Sequence, residues 1–180
     1  AFPGAEGFGA LTLGGRGNGS IIPQIYVVSN LNDSGIGSLR EAVQASGPRY
    51  VVFNVSGLID LKNDLVIDKP YITIAGQTAV PEGITFAHYS LNVLTHDVVL
   101  QYLRGRIYFE DGVDTGPLGG LGDGKGSNMD GVLLYGQDQA GQVYNVMIDH
   151  SSFSWAIDEN VDAWDFVDNY TIQWSIIAEG

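Results

Sequence analysis

Four short stretches decide the fold: Tyr71-Ile72-Thr73-Ile74, Asp97-Val98-Val99-Leu100, Asn145-Val146-Met147-Ile148 and Asn169-Tyr170-Thr171-Ile172. Their starts lie 26, 48 and 24 residues apart, and Arg49-Tyr50-Val51-Val52 precedes the first by 22. A recurrence of this length, with one doubled interval, marks a solenoid in which each repeat stacks on the last. Each repeat holds two or three short apolar segments and no helix signal, so the expected class is all-β, a parallel β-helix. Alternation places Ile72/Ile74, Val98/Leu100 and Val146/Ile148 inside. Asp97, Asn145 and Asn169 then stack at one corner. An antiparallel sandwich also accounts for many short strands, but not for that recurring corner.

One helix is expected ahead of most of the strands, over residues 39–46. Ser38 and Glu41 are spaced as a capping box, Leu39, Ala42 and Val43 give an apolar face, and Gly47-Pro48 stops it. The stretch 107–128 breaks the period and reads as a long excursion rich in Gly and Asp, the kind of segment that often carries function.

The totals narrow the function. With 180 residues, 44% of them hydrophobic, the chain can bury a sizeable core, and one domain over 1–180 is expected. Absence of Cys removes disulfides and thiolate metal sites. A formal charge of −13 argues against nucleic acid, whose phosphates need Lys and Arg. No apolar run approaches the ~20 residues of a membrane span. The first residue is Ala1 rather than Met, which suggests a processed start, either after removal of a secretory signal or by trimming of the sequence. Sequons at Asn18, Asn32, Asn54 and Asn169 matter only where secreted proteins are glycosylated.

Three motifs compete for the chemistry. Gly119 to Lys125 nearly spells a phosphate-binding loop, but Gly126 replaces the required hydroxyl and a β segment follows where a helix is needed. Asp149-His150-Ser151 has the side chains of a charge-relay hydrolase, yet consecutive strand residues face opposite sides and cannot form the relay. Strict alternation points His150 inward, in a corner stack one coil from Trp174 and two from Tyr102. The third motif is a set of carboxylates. Asp130 opens one segment, and Asp158-Glu159 holds the equivalent place one coil on. Stacked strands lie ~4.8 Å apart, so these side chains either share one calcium ion (Ca2+) or form a solvated acidic rim.

Seven separated blocks occur in the order found in secreted pectate lyases and pectate-lyase-like proteins: AFPGAEGFGA, GGRG, NLNDSGIGSLREAV, RYVVFNVSGLIDL, PYITIAGQT, LRGR and IDHSSFSWAIDE. The chain resembles that family over nearly its whole length. The resemblance implies a right-handed parallel β-helix capped at its N-terminal end by the short helix. It also implies calcium-dependent β-elimination on polygalacturonate or a similar acidic polysaccharide, outside the cell. Asp130 then matches a metal-binding Asp, and Asp158 with Glu159 a second carboxylate site. Asp149 and His150 match a pair read as mainly structural. Arg104 and Arg106 match the family's LRxR and hold either substrate or structure.

The departures concern catalysis. The family's base is an Arg on a coil beyond the Asp-Glu pair, whereas Arg16, Arg40, Arg49, Arg104 and Arg106 all precede Asp130. Gln101 stands where a further Arg is common, and Ser151 where a Cys is common. The apolar ending TIQWSIIAEG suggests either more chain or a second subunit over the exposed strand edge, with self-association as the consequence. A non-catalytic glycan-binding or structural β-helix is therefore the alternative to a lyase.

Overall fold

The computed structural model describes residues 1–108, 129–137 and 141–180. Most of the expected excursion, and the whole near-match to a phosphate loop, lie outside the described residues.

Strand β1 (Gln24–Val28) leads into helix α1 (Leu39–Gln44). The first full coil is β2 (Arg49–Phe53), β3 (Gly57–Asp60) and β4 (Leu65–Ile67), and the second is β5 (Ile72–Ala75), β6 (Ile84–Ala87) and β7 (Leu91–Val93). A third coil holds β8 (Val98–Gln101), β9 (Leu103–Arg106) and β10 (Val132–Tyr135). The fourth holds β11 (Val143–Asp149), β12 (Ser152–Ser154) and β13 (Val161–Trp164), and β14 (Val167–Gln173) and β15 (Ile176–Ala178) begin a fifth. Like strands stack into three sheets: A from β1, β2, β5, β8, β11 and β14; B from β3, β6, β9, β12 and β15; C from β4, β7, β10 and β13. Every pairing is parallel. The molecule is a β-solenoid of about five turns with one short helix near its N-terminus.

The register of sheet A follows the expected spacing, with Ile72, Val98, Val146 and Tyr170 in line. Arg49 is the exception, since it pairs with Ile72 rather than Tyr71. Its guanidinium is fully buried at the end of α1, so Arg49 occupies an inward position and shifts β2 by one residue. The six residues expected inside all have 0% exposure. The corner residues Tyr71, Asp97, Asn145 and Asn169 take φ of 63, 57, 55 and 51°, a left-handed turn that Asn and Asp tolerate better than most residues. Helix α1 is two residues shorter than expected. Ser38 Oγ accepts from Glu41 N at 3.2 Å as the capping box requires, while Glu41 Oε2 reaches back to Gly37 N.

Residues 4–15 form a strap across the outer face of sheet A. Glu6 N donates to Gln173 Oε1 (2.9 Å), Gly9 N to Thr171 Oγ1 (2.9 Å), Leu13 N to Asp97 Oδ1 (2.7 Å) and Gly15 N to Thr73 Oγ1 (2.8 Å). The strap lies close enough that a Cβ at Gly9 would stand 2.4 Å from Val146 O, and one at Gly15 would stand 2.4 Å from Arg49 O. Both neighbours are ladder backbone and cannot yield. Gly9→Ala should therefore cost about 1–3 kcal/mol and expose residues 1–17 to protease. An unchanged melting temperature and digestion pattern would refute this fit. Among the described residues, the strap covers sheet A and α1 packs against the first coil.

Candidate functional site

Sheet C carries the cluster. On β10 Val132 and Leu134 point into the core, so Leu133 and Tyr135 face out. On β13 Val161 and Ala163 point in and Asp162 and Trp164 face out, with Leu133 paired to Asp162 and Tyr135 to Trp164. Just ahead of β10, Gly131 N donates to Glu159 O (3.0 Å) and Val132 N to Asn160 O (3.1 Å). Glu159, rather than Asp158, is thus the coil-mate of Asp130. A Cβ at Gly131 would meet Asn160 O at 2.3 Å, so glycine permits this close approach.

The turn that presents the second pair is itself pinned. Asn160 Oδ1 accepts from Ala156 N (3.1 Å) and its Nδ2 donates to Ala178 O (3.0 Å), while Ile157 N and Asp158 N both donate to Met129 O. Asp130 is 5% exposed and accepts from Glu159 N at 3.2 Å, whereas Asp158 and Glu159 are exposed. One oxygen from each of the three lies within 4.8 Å of the others. Asp130 is thus buried while its two neighbours meet solvent. Burial, with Asp162, Glu159 and Asp158 nearby, pushes its carboxyl up to about 7. Burial and the adjoining Asp158 raise Glu159 as well.

Asp162 escaped the sequence reading because a single polar residue in an alternating strand looks like ordinary surface. Strict alternation from Asp130 and Glu159 would even have put it on the opposite face, because Asp162 and its partner Leu133 each stand three residues beyond them. These four carboxylates, with Leu133, Tyr135, Ala163 and Trp164, line a cavity of about 300 Å3. Hard oxygen donors converging on a buried carboxylate fit a calcium-type cation.

The other singled-out residues lie elsewhere. Arg104 and Arg106 project from β9 on sheet B. Arg104 donates to Glu82 O; Arg106 donates to Ser152 O and Ser152 Oγ, both at 2.9 Å, and its guanidinium carbon lies 5.7 Å from the Trp155 ring centroid. Asp149 is buried beneath the strap and accepts from Gln101 Nε2 (2.9 Å) and Gln173 Nε2 (2.8 Å). His150 takes φ of 50°, which breaks the alternation and turns its ring outward rather than inward. It stacks on Tyr102 at 4.7 Å, one coil away rather than two, and tilts toward Trp174 at 6.5 Å. The Ser151 hydroxyl donates to Asp149 O and accepts from Leu103 N, so it is committed to backbone and no relay forms.

Fold and site together define a parallel β-helix protein with a metal-competent acidic cluster on one sheet. Comparison with known proteins narrows the class. The chain is 40% identical over 181 aligned positions, its full length, to probable pectate lyase C of Emericella nidulans and 41% identical to that of Aspergillus flavus; it spans 37% of each. Probable pectate lyase 13 of Arabidopsis thaliana is 30% identical over 87% of this chain and 28% of its own length. The crystal structure of jun a 1, the major allergen from cedar pollen, superposes with a TM-score of 0.67 at 22% identity, over 93% of this chain and 47% of that one. No protein-family model matches. Over these 180 residues the chain is homologous to the aligned part of the curated pectate lyases.

Proposed function

We propose that the chain is part of an extracellular polysaccharide lyase that binds polygalacturonate or a similar acidic polysaccharide on sheet C and cleaves it by calcium-assisted β-elimination. The observation that carries this reading is the convergence of Asp158 and Glu159 on the buried Asp130, within an outward-facing cavity that Asp162 also lines. The names of the relatives support the same chemistry. Asp130, Asp158 and Glu159 would hold the ion, with Asp162 beside them. Calcium, when bound, supplies the positive charge that acidifies the proton next to a uronate carboxylate. It also answers the charge of −13, since acidic protein and acidic glycan otherwise repel.

This chain's contribution is charge binding and orientation. No Lys or Arg is among the described residues that line the cavity. Arg49 is buried at α1, Arg40 is paired with Asp33, and Arg104 and Arg106 stand on sheet B. The abstracting base is therefore none of these four.

The test is retention on polygalacturonate together with release of unsaturated product, read by ultraviolet absorbance. The 180-residue chain should be retained with calcium, released by chelator, and show little turnover. Asp158→Asn with Glu159→Gln should abolish retention. Binding indifferent to both chelator and substitution would overturn the reading.

A further inference from the structure

The acidic cavity has a second, uncharged end. Asp162 and Trp164 share the outer face of β13 and stand two residues apart, ~6.6 Å along the strand. Tyr135 stands beside Trp164 on β10, with ring centroids 6.0 Å apart and planes inclined at 46°. Trp164 is 59% exposed and both rings line the cavity. Carboxylates therefore occupy one end and an aromatic pair the other, with a spacing comparable to a single sugar ring.

An aromatic face attracts the C–H face of a pyranose by apolar burial and gives nothing to a carboxylate. A charged sugar residue seated on Trp164 would meet no cation among the described lining residues and would lie close to four acidic side chains. Like charges at this range repel, and more strongly in a partly buried cavity than in bulk water. An uncharged residue escapes that repulsion and keeps the stacking.

We propose that Trp164, supported by Tyr135, forms a stacking subsite for an uncharged sugar residue adjoining the uronate held at the metal cluster. The preferred ligand is accordingly a partly methyl-esterified polyuronate rather than a fully ionised one. This deepens the function proposed above and rests on it. Trp164 acts here as a specificity residue: it sets which neighbour is accepted and leaves metal binding to the carboxylates.

Calorimetry with calcium and two oligogalacturonides of equal length, one fully ionised and one partly methyl-esterified, tests this on the intact chain. The wild-type chain should bind the esterified oligomer more tightly. Trp164→Ala should weaken that complex about tenfold, a loss of ~1.4 kcal/mol, and barely change the ionised one. Trp164→Phe should restore most of the difference, and calcium affinity should be unchanged in both variants. Equal affinities for the two oligomers in the wild-type chain, or an unaltered preference in Trp164→Ala, would overturn the subsite while leaving the metal reading standing. Failure of the wild-type chain to bind either oligomer with calcium would overturn both.

Discussion

Asp130→Asn should melt higher than the wild-type chain at pH 8 without calcium. Asp130 is buried beside three other carboxylates, and burial is the main cause that lifts its carboxyl to about 7. In the unfolded chain the same group ionises near ~3.9. Between those values the folded protein holds a proton that the unfolded chain has released, so stability falls as pH rises through the window. Above about 7 the full penalty is present, on the order of 2–4 kcal/mol. Asn removes it, worth roughly 5 °C or more in a chain of this size. At pH 4 the two proteins should converge. Calcium should reverse the order at pH 8, because an ion bound only by the folded state stabilises it by mass action, and Asn lacks the charge to hold it. Scanning calorimetry with and without calcium reads both effects. A variant that is less stable than wild type in chelator, and equally responsive to calcium, would contradict the account.

The second large effect concerns Arg49. Its side chain donates to Ala42 O (3.0 Å), Val43 O (2.7 Å), Gly47 O (3.1 Å), Pro70 O (3.1 Å) and Lys69 O (3.2 Å). The last four carbonyls of a helix have no partner within it, and Arg49 serves two of those in α1 while joining the helix to the corner before β5. Burial lowers its guanidinium to about 10, so it remains charged at neutral pH. Arg49→Met should leave five carbonyls without this donor at a cost of about 3–5 kcal/mol, a fall in melting temperature near 10 °C. Arg49→Lys should recover only part of this, because an ammonium has three donors and lacks the planar fork. A fall of less than about 2 °C in the Met variant would show that water replaces the guanidinium without loss.

Legibility followed the physics of each element. Inward residues of stacked coils repeat because the same core lines every turn, so the intervals from Ile72 to Tyr170 were readable. Arg49 was misaligned because a buried cation caps the first coil where an aliphatic residue would otherwise stand. The strap left no periodic trace: its glycines are spaced to meet ladder atoms on different coils, and only the three-dimensional partners reveal them. Asp130, Asp158 and Glu159 were visible as carboxylates at matching positions. Asp162 and Trp164 share a face by alternation, but what they meet there was hidden because it depends on the register between β10 and β13. His150 was misjudged because a left-handed residue inverts the alternation at that point.

The strap also has a temporal consequence. A bare solenoid can assemble coil by coil, each needing only its neighbour. Here residues 6–15 bond to Thr73, Asp97, Thr171 and Gln173, so a segment ahead of the first coil reaches partners as far as 167 residues further along the chain. Contacts of such long sequence separation form late, since the intervening loop must be closed before they are rewarded. Glu6 and Gly9 therefore wait, unengaged, until the fifth coil exists, and their docking fastens coils that have already formed, like a clasp.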